Sequence, residues 1–289
     1  MPNGCGQGRS SWRGGSRCSG RRREKEKMTW VIGTPSFWGY AVAISDIRVT
    51  WPNGVTQDCL QKVYPIERFL AAGFAGSVWF GLQSITDMQR YLHLSRADEA
   101  WIPGKAILWW YRRARLAFQR APDIVRGLGA ELMILGVSPT VDLGIPGWAK
   151  PTVAILRSPD FFPRFLKMNE VSSIGSGGGV WKYIEELEAL NKDDDALLKM
   201  ETSSRGGYAR ALHIVIHQVI ADHPDECVSP HVHMCLLQRG RVAISNSDHA
   251  TYSSDGPPVP FVMPPIATNW EQFQELSRES GAEAVAAQC

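Results

Sequence analysis

Short apolar runs separated by turn residues dominate the chain after Met28. Trp30-Val31-Ile32, Gly39 to Ile44 and Ile47 to Thr50 are rich in β-branched and aromatic residues, and Trp51-Pro52-Asn53-Gly54 supplies a turn. Lys62 to Ile66 and Phe69 to Phe74 continue the pattern, so an antiparallel meander of four or five strands is expected. The period then lengthens. Val78, Leu82, Ile85, Met88 and Leu92 fall four and three apart, which predicts a core-facing helical stripe, and a second amphipathic run covers Lys105 to Gln119. Strands return at Glu131–Val137 and Pro151–Leu156, and a third apolar segment ends at Ile174 before a Gly-rich turn. Helices are expected over Val180–Asn191 and Tyr208–Asp222, and a closing hairpin pairs His231–Leu237 with Arg241–Ser245.

Blocks of strands and helices, without strict βαβ alternation, predict stacked antiparallel sheets with helices outside, an α+β domain over residues 29–247. The segment 248–289 differs. Its prolines between Pro257 and Pro265 exclude a packed sheet, so an extended linker is expected there. A short helix should follow, with Thr268-Asn269-Trp270-Glu271 as capping box and Trp270, Phe273 and Leu276 on its apolar face. Two fates are open to it: docking, on the body or on a neighbouring subunit, or a solvated end.

With 289 residues, 44% of them hydrophobic, the chain is neither wholly disordered nor fibrous. Its formal charge of +2 hides a sharp division. Residues 1–28 carry eight basic and two acidic side chains, and the rest is net acidic by four. No apolar run follows the Arg cluster, so the leader does not fit a secretory or twin-arginine signal. It reads as a basic arm able to touch nucleic acid, a propeptide, or sequence upstream of a true start at Met28. Six scattered cysteines with no C-x-x-C pair point to reduced thiols and a cytoplasmic location. The most apolar stretch, Phe69 to Ile85, is short and glycine-rich, and reads as a strand then a helix rather than a membrane span.

Metal chemistry is not expected. His213 and His217 lie one turn apart, and Cys227, His231, His233 and Cys235 cluster, but neither set has zincin or zinc-finger spacing. Asp193-Asp194-Asp195 reads as a solvated helix end, and Gly175-Ser176-Gly177-Gly178-Gly179 as a tight turn lacking the Lys-Ser/Thr of a phosphate loop.

Taken in order, Met28-Thr29-Trp30-Val31-Ile32, Asp46-Ile47-Arg48-Val49-Thr50, Lys62-Val63, Ala72-Gly73-Phe74-Ala75-Gly76 and Ile174-Gly175-Ser176-Gly177-Gly178 resemble the proteasome β-subunit family. The likeness is nearest to the bacterial ATP-dependent, proteasome-like threonine peptidase. Thr29 precedes Asp46 by 17 positions and Lys62 by 33, each within one residue of the family's spacing. The resemblance covers about Thr29 to Ser245 and implies a four-layer αββα sandwich with two stacked antiparallel sheets, the N-terminal-nucleophile (Ntn) hydrolase fold. It also implies an N-terminal Thr29 nucleophile, Lys62 held by Asp46, the Gly73 N–H at the oxyanion, Ser176 near the terminal amine, Thr50 along an extended peptide and Ala71 at the side-chain pocket. A further family aspartate corresponds to Asp225 or Glu226. No cofactor is implied for the chemistry. The implied partners are unfolded polypeptide, further copies in a ring and an AAA-type ATPase that feeds it, with neither membrane nor nucleic acid.

The residue types suit that chemistry. A threonine hydroxyl needs a base, and a free α-amine with a pKa of about 7.7–8.0 is poised to serve as one. Singly, each residue has an ordinary reading: Thr29 a strand residue, Asp46 and Arg48 a turn pair, Lys62 an exposed strand lysine and Gly73 a close-packing glycine. The sequence departs from the family where Met28, not glycine, precedes Thr29, where Trp30 is bulky, and where Leu94–Gly104 and Gly144–Ala149 are inserted. The alternative expectation is a catalytically inactive structural subunit or assembly protein that never exposes Thr29.

Overall fold

A computed structural model describes residues 30–51, 55–92, 102–175, 184–186, 188–189, 194–203, 206–223, 228–246 and 264–279. Thr29, Ser176, Asp225, Glu226, the basic leader and the proline-rich linker before Pro264 lie outside them, as does most of the helix expected over 180–191. The first two strands, β1 (Val31–Ser36) and β2 (Tyr40–Asp46), form a hairpin. Its turn ends at Gly39, where φ is +79° and a Cβ would stand 3.1 Å from Ala149 N, so a side chain there would be strained. The hairpin lies inside a five-stranded antiparallel sheet with β10 (Ser172–Ile174), β11 (Val232–Gln238) and β12 (Arg241–Asn246), in the order β10-β1-β2-β11-β12.

The second sheet is β5 (Val63–Glu67), β6 (Leu70–Gly76), β7 (Ala130–Asp142), β8 (Ala149–Arg157) and β9 (Arg164–Phe165), adjacent in chain order and antiparallel throughout. Between the sheets in sequence, β3 (Arg48–Thr50) and β4 (Thr56–Asp58) pair as a separate arm.

Alternation along the strands divides the core into three. Trp30, Ile32, Tyr40, Val42, Ile44 and Val232 face one way, toward Leu212, Ile216 and Ile220 of α5 (Gly207–Asp222). Val31, Ala41, Ala43, Cys235 and Leu237 face the other way and meet Val63, Ala71, Ala75, Met133 and Leu135 of the second sheet. Leu70, Ala72, Phe74, Leu132 and Ile134 form that sheet's outer face. They pack against α1 (Val78–Tyr91) and α2 (Pro103–Arg120). Each large side chain removed from water in these layers contributes roughly 1.5–3 kcal/mol before entropy is counted.

The expected helical stripe is present in α1, capped by the Ser77 hydroxyl, which accepts from Phe80 N at 3.3 Å. Asp87 ties α1 to α2 by accepting from Trp110 Nε1 at 2.8 Å and Arg113 Nη2 at 2.9 Å. A third helix, α3 (Asp123–Leu128), follows α2 where the sequence pattern predicts none. In α4 (Asp194–Ser203), Glu201 accepts from Gly206 N, Tyr208 N and Tyr40 Oη at 2.9, 3.0 and 2.7 Å, joining the start of α5 to β2.

The C-terminal helix α6 (Trp270–Glu279) docks on its own body. Phe273 is 3% exposed and stacks on Trp51 with ring centroids 5.0 Å apart. Ahead of it, Ala267 N donates to Cys59 O at 2.7 Å and Gln61 N donates to Ala267 O at 3.0 Å, a parallel bridge to the residues that precede Lys62. The capping box is displaced by one position from the expected one. Asn269 Oδ1 accepts from Gln272 N at 2.9 Å, while Gln272 Oε1 accepts from Thr268 N at 2.8 Å. Asn269 prevails because its short carboxamide reaches the third helical N–H, and a glutamine there reaches back. Among the described residues no helix is long and apolar enough to cross a membrane.

Candidate active site

Asp46 ends β2 and Lys62 precedes β5, so the two side chains come from facing sheets and meet between them. Lys62 Nζ lies 2.7 Å from Asp46 Oδ1, with side-chain exposures of 1% and 0%. Lys62 is therefore no exposed strand lysine. Its second bond runs from Nζ to Arg48 O at 2.6 Å. An ammonium has three donors, so one proton is left for a third partner. Burial pulls the Lys62 ammonium below the ordinary lysine range, and the Asp46 carboxylate opposes that shift.

Asp46 is saturated on both oxygens. Oδ1 accepts from Trp30 N at 3.0 Å as well as from Lys62, and Oδ2 accepts from Arg48 N at 3.2 Å and Ser229 N at 3.4 Å. Trp30 O in turn accepts from Asp46 N at 3.2 Å, so the start of β1 is locked to Asp46 in both directions. The Asp46–Arg48 turn contact is real but runs through main chain, because the Arg48 guanidinium points elsewhere.

That guanidinium binds Asp58, a residue that the motif reading does not single out. Arg48 Nε and Nη2 stand 2.7 and 3.1 Å from its two oxygens, and Ser229 Oγ donates to Asp58 Oδ2 at 2.8 Å. Burial alone would raise the Asp58 carboxyl, but hydrogen bonds from Arg48 and Ser229 and the Arg48 charge outweigh it and hold the group below the usual carboxylate range. His231 Nε2 approaches Asp58 at 3.9 Å, yet burial keeps that imidazole below its ordinary pKa. The outer end of this network faces a cavity of about 550 Å³ that Pro264, Pro265, Leu276 and Glu279 wall on the far side.

Gly73 on β6 pairs directly with Val63 on β5, and Phe74 N donates to Lys62 O at 3.1 Å. A Cβ on Gly73 would sit 3.1 Å from both Val31 Cγ1 and Val63 Cγ2. The glycine thus lets the start of β1 approach the strand that carries Lys62. Ala71 is fully buried in the layer between the sheets, two residues further from Lys62 along β6. Thr50 sits on β3 opposite Thr56, and its hydroxyl is buried with no hydrogen bond among the described residues.

His233 is a further ionisable group beside Lys62. It is 1% exposed, lies across from Ser45, and neither its ring nitrogens nor Ser45 Oγ finds a partner among the described residues. Burial and then the Lys62 charge push its pKa down to about 4, so the ring is neutral at pH 7. Burial pushes the Cys59 and Cys235 thiols up to about 12, which leaves them unreactive. His213 and His217 meet edge to face on α5, with ring centroids 4.7 Å apart, and among the described residues no group of three or more His, Cys, Asp or Glu side chains is arranged to hold a metal ion.

Lys62, Asp46 and the start of β1 at Trp30 thus meet, with Gly73 on the neighbouring strand, while Ala71 lies further along β6 and Thr50 on the separate β3–β4 arm. No protein-family model matches the chain, and no curated protein matches it. Ser229 and Asp58 had no local sequence signal beyond being polar residues near strand ends.

Proposed function

We propose that this chain is a threonine-type peptidase of the Ntn-hydrolase kind, with Thr29 as nucleophile once its α-amine is free. One observation carries the reading: Trp30 N, the nitrogen bonded to the carbonyl carbon of residue 29, and Lys62 Nζ donate to the same oxygen of Asp46. An ammonium buried at that junction, with one proton unassigned, has few ordinary structural uses. A buried ion pair costs desolvation that a pair of apolar residues would avoid.

In the proposed reaction the α-amine takes the proton of the Thr29 hydroxyl as the oxygen attacks the substrate carbonyl carbon. Lys62 keeps the amine's pKa low and stabilises the developing alkoxide, and Asp46 keeps Lys62 charged and aimed. Ser176 serves the amine. The Gly73 N–H, opposite Met133 in a hydrogen-bonded pair of the β6–β7 ladder, is used within the sheet, so Gly73 contributes close approach and not an oxyanion donor. Collapse expels the amine half of the peptide with the transferred proton and leaves an ester on Thr29. Water then adds to the ester carbon with the α-amine as base, the bond to the Thr29 oxygen breaks, the acyl half leaves as a carboxylic acid and the proton returns to the Thr29 hydroxyl. The two stacked sheets with helices on both outer faces suit the αββα arrangement, and the chemistry needs no cofactor. Unfolded polypeptide is the proposed substrate, with a cytoplasmic ring of identical chains and an AAA-type unfoldase as proposed partners.

The test is peptide hydrolysis by the purified full chain. Thr29→Ala should abolish it and Thr29→Ser should retain part of it. Full activity in Thr29→Ala would remove the reading and leave a structural subunit or assembly protein as the better description.

A further inference from the structure

We propose that Asp58 is a positioning residue of the Lys62–Asp46 pair. Its carboxylate grips, through their side chains, the same two residues whose main-chain N–H groups hold Asp46 Oδ2. Arg48 binds Asp58 from Nε at 2.7 Å and Nη2 at 3.1 Å, while Arg48 N donates to Asp46 at 3.2 Å. Ser229 repeats the pattern, with Oγ on Asp58 at 2.8 Å and N on Asp46 at 3.4 Å. Arg48 also accepts from Lys62 Nζ through its carbonyl at 2.6 Å. Asp58 therefore orients three main-chain groups that determine where Lys62 and Asp46 stand: Arg48 N, Arg48 O and Ser229 N.

The pairing of β3 with β4 sets this up, since Arg48 and Asp58 are directly opposed. An isolated, solvent-exposed bridge of this type contributes about 0–1 kcal/mol and orients nothing. Here the side chains are 19% and 17% exposed, and a third donor from β11's approach, Ser229, closes the ring. The connected set runs from Lys62 through Asp46, Ser229 and Asp58 to Arg48 and back to Lys62. Removing the Asp58 charge loosens its grip on the Arg48 guanidinium and on Ser229 Oγ, and with it the placement of Arg48 N, Arg48 O and Ser229 N. Geometry this tight matters because a displacement of about 1 Å in a reacting group can cost on the order of 10²-fold in rate.

The effect on hydrolysis rests on the Thr29 reading, whereas the effect on Lys62 does not. The experiment compares full-length Asp58→Asn and Asp58→Glu with the wild type by two readouts: kcat and KM for a fluorogenic peptide, and the pH titration of the Lys62 side chain by NMR, assigned with Lys62→Met. Asp58→Asn should lower kcat on the order of 10²-fold with KM nearly unchanged, and should move the Lys62 titration to lower pH. Asp58→Glu should recover part of both. A folded Asp58→Asn protein with unchanged kcat, or with an unchanged Lys62 titration, overturns the proposal. If that variant does not fold, Ser229→Ala, which removes one grip and keeps the charge, is read by the same two criteria. If the wild type hydrolyses no peptide, the Thr29 reading fails, and the Lys62 titration alone decides for or against Asp58.

Discussion

Lys62 Nζ and Asp46 Oδ1 stand 2.7 Å apart, closed to solvent, Asp46 at the end of β2 in one sheet and Lys62 just before β5 of the other. The pair thus ties the sheets together at the end where β1 begins. Breaking it one side at a time leaves an uncompensated buried charge, which costs about 3–5 kcal/mol. Lys62→Met and Asp46→Asn should each lose about that much in denaturant unfolding. The double variant should lose less than the two combined, and additive losses would show that the charges do not interact.

His233 gives the fold a distinct acid dependence. Its folded-state pKa of about 4 lies below the usual histidine value of 6.5 because the ring is buried beside Lys62. Between those values the unfolded chain binds the extra proton and the folded chain does not, so stability falls as pH drops. The loss begins below about pH 6.5 and is complete near pH 4, with a size on the order of 3 kcal/mol. His233→Phe should flatten the stability curve across that window, and a curve that keeps its slope would assign the acid loss to other groups.

Gly73 fixes how closely β1 approaches the Lys62 strand. Gly73→Ala places a methyl 3.1 Å from both Val31 Cγ1 and Val63 Cγ2, neither of which has a long side chain to swing away. Overpacking of this kind costs about 1–3 kcal/mol. A thermal unfolding curve for Gly73→Ala superimposable on that of the wild type would refute the close-approach role.

The C-terminal helix holds the residues before Lys62 through Ala267 and is itself held by Phe273 on Trp51. Phe273→Ala removes a ring from a buried site and should cost about 3 kcal/mol of docking. Hydrogen exchange should then accelerate at Ala267 N, which donates to Cys59 O at 2.7 Å, and at Gln61 N. Unchanged exchange at both positions would mean that the segment is seated by other contacts.

Periodicity made the long elements legible, since α1, α2, α5 and the β11–β12 hairpin each carry several turns or rungs of a regular pattern. It missed α3, β4 and β9, which are too short to repeat, and α4, which begins where the aspartate run reads as a helix end. The motif order pointed to Asp46, Lys62 and Gly73, but nothing near Lys62 in sequence told a buried lysine from an exposed one. That depends on Asp46, which reaches it only after two strands fold onto different sheets. Asp58 and Ser229 were silent for the same reason, being short polar residues whose partners are distant in the chain. Ala267 and Cys59 pair through main chain alone, which no side-chain pattern reveals. The docked tail was therefore visible as a helix but not as a support for Lys62.

The measurement that bears most directly on Thr29 is the intact mass of the natively expressed protein, together with the sequence of its first residues. A chain that begins at Thr29 is the predicted result, because the nucleophile and its base must share one residue with a free amine. A mature chain that keeps Met28, or any of the basic leader, would contradict the peptidase reading.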